Sequence, residues 1–147
     1  MRVLRLSVDW SQIAPATRPA NFDPSNPDDP AYDWSSADEA ITSTVDAGFE
    51  PILDVFGAPA WAAQAPAFVR SDNYPLGPLA PVASALEEFA TAIARRYDGV
   101  SDGLPRVRYW QLYNEPNLDQ NLRPQVVGSR LVSPGPGALR SERMRRK

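Results

Sequence analysis

Asn114, Glu115 and Pro116 close the apolar, aromatic run "VRYWQLY" at 107–113. A carboxyl at the end of a strand can give or take a proton, and an amide beside it can orient a hydroxyl without adding charge. If the run is a strand, its period of two puts Gln111, Tyr113 and Glu115 on one face. Pro116 then ends the strand and fixes its direction. Crowding by Trp110, Tyr113 and Trp61 would draw the carboxyl out of water, the setting a general acid needs. An isolated strand-end glutamate is more often a solvated loop residue, so the neighbouring segments have to decide.

The rest of the composition narrows the chemistry. The 147 residues include no cysteine and no histidine. That excludes disulfides, cysteine nucleophiles, a Ser-His-Asp triad and histidine zinc sites together. The only lysine is Lys147, so proton transfer falls to Asp, Glu and Tyr. The oxygen-rich "FDPSNPDDP" (22–30) lacks the spacing of a calcium loop and reads as solvated, leaving no metal site and no cofactor motif.

Charge separates the chain into two parts. Residues 1–120 carry 17 acidic and 8 basic side chains, whereas 121–147 carry 1 acidic and 7 basic. The acidic body offers no clustered cations for phosphate, which argues against a nucleic-acid partner. No apolar run approaches the roughly 18 residues of a membrane span. The N-terminus has no apolar signal core, so any export signal is expected outside this sequence.

Three apolar runs can position the chemistry: "VLRLSVDW" (3–10), "FEPILDVF" (49–56) and "VRYWQLY" (107–113). Between the first two, Ser36 and Glu39 fit a capping box, Ile41 and Val45 share a helix face, and Gly48 is a stop. Between the second and third, Val82, Leu86, Phe89, Ile93 and Tyr97 form a helical stripe ending near Asp98-Gly99. Strand, helix, strand, helix, strand predicts a parallel sheet with right-handed crossovers. The two long loops, 11–34 and 57–78, both follow strand C-termini, where α/β proteins place their sites. No glycine-rich phosphate loop follows any strand.

In this setting "YWQLYNEPN" resembles the acid/base strand of clan A glycoside hydrolases, the retaining (β/α)8-barrel glycosidases. "RVLRLSVDWSQIAP" resembles the second strand of that clan. "YDWSSADEAITSTVDAGFEPILDVFGAPAWA" resembles its second helix, third strand and following loop. Cellulase-like and xylosidase-like members look nearest, and the match covers about residues 1–125.

The resemblance implies an α/β fold, an incomplete (β/α)8 TIM barrel holding roughly strands two to four. It implies Glu115 as general acid/base and Asn114 as partner of a sugar 2-hydroxyl. Arg5 would orient a nucleophile, Trp61 would stack on a sugar face, and Trp10 and Asp54 would stand at the pocket wall. The partner is then an oligosaccharide or polysaccharide, and no cofactor or metal is implied.

Retaining hydrolysis needs two carboxylates about 5–5.5 Å apart. In that clan the nucleophile ends the seventh strand, and the sequence is expected to stop short of it. The chain alone is therefore expected to be inactive, or to be a non-catalytic remnant binding sugar through Trp61 and Asn114. A doubly wound binding domain unrelated to glycosidases is the other reading. Residues 1–125 read as the partial catalytic domain. Residues 126–147, with Pro-Gly repetition, five arginines and no amphipathic period, read as a disordered tail.

Overall fold

The computed structural model describes residues 2–64, 79–100, 103–118, 120–123, 126–127 and 130–131. Its centre is a parallel sheet of three strands in the order β1-β2-β3: β1 (Val3–Asp9), β2 (Glu50–Phe56) and β3 (Tyr109–Leu112). A single turn, α1 (Trp10–Ile13), follows β1 directly, so the first strand ends one residue before the predicted limit. Helices α2 (Ser35–Asp46) and α3 (Ala83–Arg96) make the crossovers between strands.

The barrel expectation is corrected here. Among the described residues the sheet has three strands, β1 and β3 are its outer members, and it stays open. Closing a barrel couples strand number, tilt and stagger, and three strands cannot meet that condition. The fold is a small α/β unit. In the region expected to be a structureless tail, Val126–Val127 (β4) pairs antiparallel with Arg130–Leu131 (β5). The remainder of that tail lies outside the described residues.

Register assigns the two faces of the sheet. Leu6 stands opposite Leu53, Val8 opposite Val55, and Trp110 and Leu112 continue these rows on β3. Leu53, Val55 and Val8 are buried with Ile41 of α2 and Phe89, Ala92 and Ile93 of α3 in one core. Both helices therefore cover the same face. Trp110 and Leu112, in the same rows on the outer strand, remain partly exposed. The opposite face carries Arg5, Ser7 and Asp9 beside Asp54.

α2 starts at Ser35, one residue ahead of the predicted capping box, and no side chain caps it from Trp34. Instead Asp33 Oδ1 accepts from the Ser35 N–H and hydroxyl, at 3.1 and 2.6 Å. The helix stops where Gly48 takes φ 79°, a left-handed value that favours glycine. The chain then enters β2 at once, with Glu50 N–H donating to Arg2 O.

Aromatic rings organise the core. Phe89 stacks on Trp10 at 4.6 Å and lies parallel to Trp34 at 5.9 Å. Tyr32 donates to Pro24 O and the Trp34 indole to Pro27 O, which ties down the proline-rich segment. In that segment, read from the sequence as a solvated loop, the carboxylate oxygens cap turns: Asp23 Oδ1 accepts from Ser25, and Asp29 accepts from Asp23 N–H and Ala31 N–H. Between the helices, Arg96 forms a two-pronged pair with Asp38, whose Oδ1 also accepts from the Tyr97 hydroxyl.

Phe89 is fully buried and meets both tryptophans, so its truncation removes the centre of the core. Phe89→Ala is expected to destabilise by about 3–5 kcal/mol, measured by urea denaturation. Leu112→Ala, on a half-exposed side chain, is expected to cost far less. Equal costs would show that the aromatic stack does not carry the fold.

Candidate functional site

The polar face of the sheet opens, at the C-terminal ends of the strands, into a cleft of about 550 Å³. Its described lining includes Arg5, Ser7, Asp9, Asp54, Asn114 and Asn121. Arg5, Ser7 and Asp9 arrive there by the two-residue period of β1. Asp54 comes from β2, in register with Ser7 on one side and Gln111 on the other.

Arg5 Nη1 donates to Asn114 Oδ1 at 2.9 Å, joining residues 109 positions apart in the sequence. The same nitrogen lies 3.9 Å from Asp54 Oδ2. Arg5 is half-exposed, whereas the Asp54 side chain is only 3% exposed. Asp54 Oδ1 has no hydrogen-bond partner among the described residues. Burial pushes the Asp54 carboxyl above its ordinary value, and the Arg5 charge opposes that shift without cancelling it.

Asp9 plays another role. Its Oδ1 accepts from the Ser11 N–H and hydroxyl, at 3.0 and 2.8 Å, and so caps α1. Gly57 packs against this carboxylate: a Cβ at Gly57 would stand 2.1 Å from Asp9 Oδ1, and its φ is 74°. Only glycine fits there. The loop after β2 and the cap after β1 thereby come into close approach at the cleft rim.

Beyond β3 the strand alternation breaks. Tyr113 and Glu115 take φ values of 56° and 44°, left-handed conformations uncommon for such residues. Burial of the Tyr113 ring and its N–H bond to Val55 O at 2.9 Å hold this turn. The Tyr113 hydroxyl is pushed above its ordinary value, chiefly by burial. Asn114, between the two left-handed residues, is turned into the cleft, while Glu115 is exposed and absent from the described lining. The shared face predicted for Gln111, Tyr113 and Glu115 therefore does not form. The Glu115 carbonyl accepts from Leu118 N–H, and the chain folds over at that point.

Trp10, expected at the pocket wall, and Trp61, expected to stack on a sugar, both make packing contacts here. Trp10 is 1% exposed and sits in the core against Phe89 and edge-on to Trp61. Trp61 is half-buried; its indole donates to Pro15 O, and the Arg18 guanidinium lies over its ring. Neither lines the cleft among the described residues. An indole this large excludes more water against other rings than in an open mouth.

The structure thus brings together Arg5, Asp54 and Asn114 of the predicted residues, and separates Glu115, Trp10 and Trp61 from them. Sequence reading missed Ser7 and Asp9, although their two-residue spacing from Arg5 was a usable signal. Gln120 and Asn121 also line the cleft, and they had no such signal. Among the described residues no cluster of acidic side chains is arranged to hold a metal ion. No protein-family model matches the chain, and no curated protein matches it significantly.

An aspartic acid that keeps its proton more tightly when folded makes the folded state bind more protons than the unfolded one. Its contribution is then favourable below the unfolded value of about 3.9 and is lost as pH rises through the folded value. The stability of the wild type relative to Asp54→Asn is expected to fall as pH rises from about 3.9 through the raised folded value. Denaturant midpoints measured across that range check this; parallel profiles would show that burial does not hold the proton on Asp54.

Proposed function

We propose that the chain serves the hydrolysis of O-glycosidic bonds with retention, as a carbohydrate-binding and proton-transferring part of a glycoside hydrolase. One observation carries the reading: the Arg5–Asn114 hydrogen bond. It joins two segments that each resemble clan A glycosidases and places both polar groups in one cleft at the strand ends. In this reading Asn114 meets a sugar 2-hydroxyl. Glu115 protonates the leaving oxygen and then takes a proton from water. The substrate is an oligosaccharide or polysaccharide.

The resemblance assigns the nucleophile to no residue of this chain, so turnover requires a second carboxylate from elsewhere. Glu115 must also turn toward the cleft when substrate is present, and its short left-handed turn is the element that has to move. A second reading, sugar binding without catalysis, is favoured by the exposure of Glu115. The chain by itself is expected to bind glycosides without turnover. Hydrolysis of a nitrophenyl glycoside by the chain alone would place the nucleophile inside it.

Within an active catalytic domain containing this segment, Glu115→Gln keeps the size and hydrogen bonding of the side chain but removes its titration. With a poor leaving group the expected loss is about 10²–10⁴-fold. With a dinitrophenyl glycoside the first step is largely spared, and added azide restores the second step, giving a product of retained anomeric configuration. Equal loss for good and poor leaving groups, with no azide rescue, would make Glu115 the wrong residue and favour binding alone.

A further inference from the structure

Asp54 stands in a strand whose other buried members, Pro51, Leu53 and Val55, are apolar. Its side chain is 3% exposed, yet Oδ1 meets no donor among the described residues. Leaving a buried carboxylate oxygen unpaired is unfavourable. Asp54 is nevertheless part of the cleft lining, so this buried oxygen belongs to a residue that borders the cleft. An unpaired acceptor withdrawn from water beside a polar cleft can receive a donor from a ligand that enters it.

The surrounding groups restrict that donor. Arg5, 3.9 Å from Asp54 Oδ2, disfavours a second cation beside it. Asp9 and Asp54 together disfavour an anion, and Asp9 Oδ1 is already engaged by Ser11. Arg5 uses one N–H on Asn114 and keeps others to offer to a ligand oxygen. A neutral group that donates to Asp54 and, through an adjacent oxygen, accepts from Arg5 satisfies both. Neighbouring hydroxyls on a sugar ring are such a group.

We propose that Asp54 is a specificity-determining residue, its Oδ1 accepting one hydroxyl of a neutral sugar whose neighbouring hydroxyl oxygen meets Arg5. The assignment rests on the carbohydrate reading of the cleft but not on Glu115 or on hydrolysis. A site built to bond one hydroxyl discriminates sharply against the analogue lacking it, because its buried acceptor is then left unpaired.

The test is nuclear magnetic resonance titration of the full chain with methyl β-D-glucopyranoside, methyl β-D-xylopyranoside and the monodeoxy methyl glucosides. At least one parent glycoside is expected to shift the Arg5, Asp54 and Asn114 amides. One monodeoxy glucoside is expected to bind about ten- to a hundred-fold more weakly than its parent, the range for a hydrogen bond to a charged group. Asp54→Asn is expected to weaken the parent by a similar factor and to bind that monodeoxy sugar no worse than the parent, as a coupled pair requires. If every monodeoxy glucoside binds wild type like the parent, the proposal is overturned without any variant. If Asp54→Asn binds the parent as wild type does, Asp54 is only structural, and the carbohydrate reading stands. If wild type binds no glycoside at all, both readings fall. Tighter binding of methyl glucuronide than of methyl glucoside would overturn the neutral-ligand assignment.

Discussion

The fold depends on one sandwich of rings: Phe89 of α3 between Trp10, just past β1, and Trp34, just before α2. Each ring comes from a different stretch of chain, and together they pin the long 11–34 connection across the end of the sheet. Trp61 joins edge-on to Trp10 and Phe22, so the connection leaving β2 is fastened to the same cluster. Stacked and edge-to-face rings combine large apolar burial with a preferred geometry. The cleft rim is thereby positioned from below by packing rather than by its own polar contacts.

With both helices on one face, the other face of the sheet is free to be polar. The parallel register turns this into chemistry. Arg5, Ser7 and Asp9 descend one strand, Asp54 occupies the next, and Asn114 arrives from beyond the third. A half-exposed guanidinium then bridges a buried carboxylate and an amide. Their energies differ in kind. The Arg5–Asn114 bond is partly solvated and contributes modestly, whereas the enclosed Asp54 oxygen makes that position unfavourable unless something binds there.

The turn after β3 has a similar logic. Two non-glycine residues in left-handed backbone flank Asn114, a conformation that persists only where the surroundings over-determine it. Here the anchor is the buried Tyr113 ring and its bond to β2. The consequence is a divided motif, Asn114 inward and Glu115 outward. Two adjacent polar residues in a regular strand would also point apart, but the carboxylate would then follow the parity of Gln111.

Much of the architecture was legible because local patterns matched the tertiary outcome. The stripe at Val82, Leu86, Phe89, Ile93 and Tyr97 has helical spacing, and α3 buries Phe89 and Ile93. The apolar runs at 3–10 and 49–56 lie within one or two residues of β1 and β2. The capping box at Ser36 and Glu39 was not realised, since Asp33 captures Ser35 first and the helix starts earlier. Trp10 and Trp61 were misplaced for a different reason. A tryptophan in a loop after a strand suits a sugar platform and a core equally well, and only the presence of Phe89 and Phe22 beside it selects the core.

The sequence alone determined the chemistry on offer and the elements that carry it. Without histidine or cysteine the side chains left for proton transfer are chiefly carboxyls, and apolar periodicity sets the strands and helices whatever their partners. Among the described residues, tertiary structure decided that the sheet stays open, that Asp54 Oδ1 is buried without a donor, and that Glu115 faces solvent. These depend on which residues from distant segments arrive beside one another, and on backbone angles that a buried ring imposes on its neighbours. Periodicity along the chain specifies a face, but the environment of that face is made by residues far away in sequence.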